Sequence, residues 1–218
     1  MAEIDLLRAL PRTKRDIKKR LDTKDPAVVA IAKQYGEMYF DGPREYGYGG
    51  YRYDGRWVPV ARDIVAHFGL KPGMRLLDVG CGKGFLVHDL MQVCPGLQAF
   101  GLDISPYALM NCDRALVGRL HLGTAEKMPF PDGSFDCVLS LNTVHNFPRA
   151  RAIKAMKEIQ RLSGGKAFVQ VDSYHTPEQK EIFESWVLTA EFHDYPAGWV
   201  KLFEEAGYSG DYYWTIIE

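Results

Sequence analysis

From residue 74 onward, short apolar runs alternate with helical stretches, and the first junction is glycine-rich. The run Leu77-Asp78-Val79-Gly80-Cys81-Gly82-Lys83-Gly84 passes from an apolar strand into a helical stretch over 84–93. Glycines at such a turn let the backbone take angles that a Cβ forbids, and let a ligand come close. The helix that follows adds unpaired N–H groups and partial positive charge. Strand-like runs at 74–80, 97–103, 119–122, 135–144 and 165–173 alternate with helical patterns at 84–93, 105–116 and 148–162. That spacing predicts an α/β fold, a Rossmann-like doubly wound sheet with helices on both faces and right-handed crossovers.

The flanks are harder to read. Residues 3–21 carry helical spacing with a basic stretch, Arg12 to Arg20, interrupted by Pro11. Pro26 after Asp25 suits a helix start over 26–40. Residues 59–69 are helical and stop at Gly69. Near the other end, 177–186 is helical, and VLTAEFH at 187–193 reads as a strand or as an extension of that helix. A helix over 196–207 and a strand over 211–218 follow. Counting 187–193 as a strand predicts a mainly parallel seven-stranded sheet. The expected division is 1–58, an N-terminal helical cap with a Tyr/Gly-rich lid, and 59–218, the ligand-binding domain.

Composition sets limits on function. The 27 Lys+Arg against 28 Asp+Glu give a formal charge of −1, which speaks against a general polyanion binder. The chain has no apolar run near the ~20 residues of a membrane helix, and its first residues lack a signal-peptide pattern. Cys81, Cys94, Cys112 and Cys137 are scattered without a CxxC pair, so neither a metal site nor a disulfide framework is expected. A reducing, cytoplasmic setting follows as the expectation.

Six of the 12 tyrosines fall between 35 and 53. The segment 41–57, DGPREYGYGGYRYDGRW, has too many glycines for regular structure and too many tyrosines for a loose linker.

The strand-end loop lacks the third glycine of the dinucleotide fingerprint, since position 85 is Phe85, and it has no GK[ST] ending. Asp103 ends the second strand, 19 residues past Gly84, where an acid can accept from both ribose hydroxyls. The blocks LDVGCGKG, GLDIS and GTAEKMPFPDGSFDCVLS, in this order and spacing, resemble class I S-adenosylmethionine-dependent methyltransferases, most of all the small-molecule branch that modifies quinones and sugars. The likeness covers about residues 60–172.

The resemblance implies S-adenosyl-L-methionine as cofactor and assigns residues to it. Gly80 and Gly82 pass close to its methionine part, with Asp78 near the amino group. Asp103 holds the ribose, Ile104 packs on adenine, Ala125 and Glu126 line the adenine edge, and Leu141 lies near the sulfur. One position departs from the pattern. Thr124 stands where related sequences usually have an acid for the adenine amino group, so Glu126 or a backbone carbonyl must substitute, or packing must suffice.

Methyl transfer is an in-line displacement, so the protein mainly orients the acceptor and excludes water. An alcohol acceptor also needs a base. His145, after the fourth strand, is the candidate base, and Asn142 a candidate to fix acceptor or cofactor. Capping or structural hydrogen bonding is the competing role for His145. Tyr174 and His175 follow the fifth strand and face the same rim; Glu191 and His193 depend on how 187–193 folds. Tyr46, Tyr48 and Tyr51 are expected to contact ligand from a lid, and Arg44, Arg52 or Arg56 to meet a carboxylate or phosphate.

The expected reaction is transfer to a small polar metabolite, a sugar derivative or hydroxy acid, at oxygen rather than nitrogen. The expected partners are a small-molecule acceptor, no nucleic acid and no membrane, with a homo-oligomer possible. Two alternatives stand beside it: an RNA-modifying enzyme using the basic N-terminal helix, and a cofactor-binding interaction subunit without catalysis.

Overall fold

The computed structural model describes residues 1–11 and 15–217. Its centre is a six-stranded sheet in the order β3-β2-β1-β4-β5-β6. The strands are β1 (Arg75–Val79), β2 (Gln98–Asp103), β3 (Leu120–Leu122), β4 (Cys137–Leu141), β5 (Ala167–Ser173) and β6 (Asp211–Ile216). Every pairing is parallel. All seven residues of β5 are buried, as expected for a parallel strand covered on both faces.

Nine α-helices are described: α1 (Ile17–Thr23), α2 (Pro26–Ala32), α3 (Glu37–Phe40), α4 (Val58–Phe68), α5 (Phe85–Val93), α6 (Pro106–Met110), α7 (Arg149–Ser163), α8 (Pro177–Trp186) and α9 (Pro196–Glu205). Their starts are written in the sequence. The side chains of Asp25, Ser105 and Thr176 each accept from the backbone N–H three residues on, and a proline follows each of them. Gly69 and Gly164 end α4 and α7 in the left-handed conformation.

Two apolar layers enclose the sheet. On one face α7 and α9 bury Met156, Ile159, Trp199 and Phe203 against Val138, Val169 and Val171. On the other, α4 and α5 bury Ile64 and Leu90 against Leu76, Leu139 and Phe168. Each such side chain contributes roughly 1.5–3 kcal/mol on burial. Strand order reverses at β1, which lies between β2 and β4, and a ligand crevice opens outside the carboxyl ends there.

The sheet has six strands where seven were expected. Residues 187–193 are neither strand nor helix. The N–H groups of Glu191 and Phe192 both donate to the His145 carbonyl, so the segment folds over the turn after β4 and has no ladder to join. Of the expected helix over 3–21, residues 17–21 are helical, within α1, and the first residues are not. Ile4 N–H donates to Tyr212 O and Tyr212 N–H to Ala2 O, which covers the β6 edge. Leu6 and Leu7 enter the α4–α5 core instead of a helix face. Of the basic stretch, residues 12–14 lie outside the described residues. The expected helix over 26–40 divides into α2 and α3, with Tyr35 at φ +49° in the turn between them. The stretch 105–116 likewise divides, into α6 and a 3₁₀ turn at Arg114–Leu116.

The β1 turn depends on a missing Cβ. Gly80 has φ +85°, and an added Cβ would lie 1.9 Å from Thr143 Oγ1. Gly80→Ala is therefore expected to lower the thermal midpoint by about 5 °C or more. An unchanged midpoint in a thermal melt would contradict this packing.

Candidate functional site

The floor of the crevice is the loop 80–84. Leu102 O accepts from Gly80 N–H at 2.7 Å and from Cys81 N–H at 3.2 Å. Asp103 Oδ2 accepts from Gly82 N–H at 2.7 Å, and Oδ1 from Ser105 N–H at 2.8 Å. The loop is thereby fixed to the end of β2, with lone pairs on Asp103 left over.

The tyrosine segment forms a roof and is pinned to this floor. Lys83 Nζ, buried, reaches Asp41 Oδ2 at 2.6 Å and Tyr51 O at 3.0 Å. Tyr107 Oη donates to the same carboxylate at 2.7 Å. Tyr51 stacks on Phe85 with ring centroids 4.7 Å apart. Tyr53 Oη donates to Asp89 Oδ1 at 2.7 Å. The Asp41 carboxyl is held below the usual carboxylate range: its bonds and charge pairing with Lys83 and Tyr107 outweigh desolvation, the largest single influence.

Between floor and roof lies a cavity of about 250 Å³. Gly80, Gly82, Asp103, Ile104, Ala125 and Leu141 line it from the sheet side, and Tyr39, Tyr48 and Tyr51 from the roof. A neighbouring cavity of about 510 Å³ receives Asp78, Gly80 and Leu141. Among the described residues, none donates a hydrogen bond to the Asp78 carboxyl. Burial, then the Asp103 charge, push it up to about 7. Asp103 is raised too, by burial.

A third cavity, about 220 Å³, opens beyond Asn142 and Asn146. Its walls include His145, Asp172 and Thr215, and it shares Tyr39, Tyr48, Asn142 and Asn146 with the first. His145 Nδ1 accepts from the Asp172 backbone N–H at 3.1 Å. A neutral ring accepting there carries its proton on Nε2, which faces Asp172 Oδ2 at 3.4 Å. His145 thus has no free lone pair for a substrate proton, and burial keeps its pKa low. Asp172, buried and with its pKa raised by desolvation, is the better proton acceptor. Asn142 takes φ +52°, and its Oδ1 accepts from Thr215 Oγ1 at 2.7 Å. Asn146 Oδ1 is buried with no partner among the described residues.

The expected site residues divide by position. Asp78, Gly80, Gly82, Asp103, Ile104, Ala125, Leu141, Asn142, His145, Tyr48 and Tyr51 all line this group of cavities. Glu126 does not, because its carboxylate is paired with Arg151 beside the Thr124 hydroxyl. Tyr46 packs instead with Val28, Ala32 and Leu188. Arg56 lines the outer cavity but is paired with Asp54. Tyr174 is buried in a satellite core, its hydroxyl 2.9 Å from His193 Nδ1. His175 starts the turn into α8, its N–H donating to Gln179 Oε1. Glu191 pairs with Lys33, and both line the first cavity. Asp172 and Asn146 were missed. Asp172 is an acid inside an apolar run near a strand end, the same signal that marked Asp78 and Asp103.

These features suit S-adenosylmethionine. A buried acid without a donor, Asp78, awaits a cation; Asp103 retains acceptor capacity; and the glycines leave room for close approach. Ile104, 51% exposed at the mouth, offers an apolar face for a base.

The comparisons agree with that geometry. The family described as "Methyltransferase domain" matches residues 77–193, and the chain belongs to it. Its class is that of the class I S-adenosylmethionine-dependent methyltransferases. The demethylmenaquinone methyltransferase of Symbiobacterium thermophilum is 34% identical over 131 residues, 55% of this chain and 50% of that protein. The 2-methyl-6-phytyl-1,4-hydroquinone methyltransferase of Synechocystis sp. is 27% identical over 72% of this chain and 55% of its own length. The chain therefore spans about half the length of these curated relatives. The solved complex of the Haloferax volcanii Trm112 methyltransferase activator with a methyltransferase is similar at a TM-score of 0.56 and 25% identity, covering 67% of this chain and 66% of that one.

The buried acids predict a pH effect. Asp78 has its folded pKa raised from 3.8 to about 7, so the folded state holds the proton more tightly than the unfolded one. Stability without ligand should fall as pH rises between about 4 and 7, by on the order of 4 kcal/mol from this group. Asp78→Asn should flatten that decline in denaturant titrations and weaken S-adenosylhomocysteine binding. A parallel wild-type and variant profile would contradict the assignment.

Proposed function

We propose that this protein transfers the methyl group of S-adenosylmethionine to an oxygen of a small polar acceptor, a sugar derivative or hydroxy acid. The observation that carries this reading is the junction of two small cavities at Asn142, Asn146, Tyr39 and Tyr48, one beside the glycine loop and one ending on Asp172. The cofactor supplies a methyl group already activated by its sulfonium.

Gly80 and Gly82 leave room for the methionine part, and Asp78 faces its amino group. Asp103 accepts from the ribose hydroxyls. Ile104 and Ala125 pack on adenine, with Thr124 at its edge, while Glu126 stays with Arg151. Leu141 flanks the sulfur region. In the acceptor cavity Asp172 takes the hydroxyl proton, and His145 positions Asp172 through its Nε2–H. Asn142 and Asn146 orient the acceptor. Tyr48 and Tyr51 exclude water, which would otherwise compete and screen the charges.

Residues 1–58 act in this reading as the cap, and 59–218 as the cofactor-binding domain. Arg15 and Arg20 of the basic stretch line the acceptor cavity, which favours a small-molecule role for them over an RNA-binding one. Buried free thiols at Cys81, Cys94 and Cys137 suit a reducing, cytoplasmic setting.

A panel of hydroxylated metabolites, with S-adenosylhomocysteine release as readout, tests the reading. Acceptor-dependent release is expected. Asp172→Asn should lower kcat by roughly 100-fold or more with cofactor affinity little changed. The wild-type rate should rise with pH through the raised pKa of Asp172, since the base works only when deprotonated. Cofactor binding without turnover on any acceptor would favour the non-catalytic subunit instead.

A further inference from the structure

The basic N-terminal stretch has a role that its sequence does not disclose. Arg20 is only 6% exposed. Its guanidinium carbon lies 4.8 Å from the centre of the Trp186 ring, that of Arg44 5.2 Å and that of Arg15 5.8 Å. Three cations thus surround one indole, and all three line the cavity that holds Asp172.

Among the described residues, no carboxylate forms an ion pair with any of the three. Arg20 donates to the carbonyls of Glu45 and Arg44, at 2.5 and 3.1 Å. Arg44 donates to the Gly47 carbonyl. Arg15 makes no hydrogen bond to a described residue. Each guanidinium has five N–H donors, so most stay free. Burial lowers the pKa of both Arg20 and Arg44, and the second influence on each is a neighbouring arginine. Such a cluster is costly unless something negative enters it. Glu45 and Asp172 are the carboxylates near enough to be felt, by Arg20 and Arg15 respectively. Neither neutralises the group.

Resting on the function proposed above, we propose that the acceptor carries an anionic head, a carboxylate or a phosphate, held by Arg15, Arg20 and Arg44 against Trp186. Its hydroxyl then lies toward Asp172, across a cavity of about 220 Å³. Guanidinium forks bind both oxyanions in a bidentate manner, so the chemistry is shared and size selects between them. Asp172 repels a second carboxylate, which orients the acceptor with its neutral end inward. Arg15 and Arg44 also line the cavity beside Asp78, so the competing occupant is the cofactor's own carboxylate.

Calorimetric titration of glycerate, glycerol 3-phosphate and glycerol, with and without saturating S-adenosylhomocysteine, tests this. At least one anion should bind tenfold or more tighter than glycerol, and more weakly as salt rises. Arg15→Gln and Arg44→Gln should each weaken that anion by roughly 10- to 100-fold and leave the S-adenosylhomocysteine dissociation constant within about threefold. Arg15 serves as the second variant because it bonds no described backbone group and its loss leaves the roof intact. Equal binding of glycerol, or anion binding untouched by both variants, overturns the inference. So does selective loss of S-adenosylhomocysteine affinity, which would assign the arginines to the cofactor. Methyl transfer to a neutral acceptor with no anion preference would overturn this inference and leave the proposed function standing. Failure to bind S-adenosylhomocysteine would remove the function, while the anion titration without it still decides the arginine cluster.

Discussion

The pairing of Lys83 with Asp41 joins the two halves of the crevice. Lys83 belongs to the glycine loop and Asp41 to the start of the tyrosine segment, and the bond between them is partly buried, the lysine more than the acid. Because Tyr107 and the Tyr51 carbonyl converge on the same pair, the roof has one place to sit. An ion pair drawn partly out of water adds little net stability, since desolvation offsets much of the attraction, but breaking it strands the buried Lys83 charge. Its structural consequence here is positional. Tyr51 is delivered onto Phe85 and Tyr48 onto the Asn142 junction, and the cavity walls follow from that.

Charge is segregated across this enclosure. Asp78 and Asp103 stand at the carboxyl ends of β1 and β2, both raised in pKa by burial. Arg15, Arg20 and Arg44 gather around Trp186, with Arg15 and Arg44 also reaching the cavity beside Asp78. Asp172 and His145 lie between, at the ends of β5 and β4. The acids ask for a cation and the arginines for an anion. A donor with ammonium and sulfonium groups meets the first demand, and the acidic acceptor proposed above would meet the second.

The strand–loop–helix floor of the crevice was legible in the sequence because its elements are local. A strand, a glycine turn and a helix follow one another within 74–93, and Asp103 falls at a fixed distance along the chain. The cavity that ends on Asp172 was not, because it is assembled from far-apart pieces. Arg15, Arg44, Asp172 and Trp186 are far apart along the chain and come together only in the folded structure. Tertiary contacts also overrode periodicity. Residues 3–21 carry helical spacing, yet the β6 edge and the α4–α5 core take their first part. Residues 187–193 alternate like a strand, yet the His145 carbonyl takes their N–H groups. Among the tyrosines, composition could not separate Tyr46, which packs on α2, from Tyr48, two residues on, which lines the cavity. His145 stood at the expected place after β4, but its role turns on which nitrogen is free, and no pattern of residues encodes that.

In the function proposed above, donor and acceptor occupy adjoining cavities under one roof. A crystal structure with S-adenosylhomocysteine tests it most directly. The account predicts ribose hydroxyls on Asp103, the amino group at Asp78, and a thioether sulfur facing the Asn142 junction with Asp172 beyond it. A ligand bound outside the roofed crevice, or a sulfur turned away from the Asp172 cavity, would contradict it.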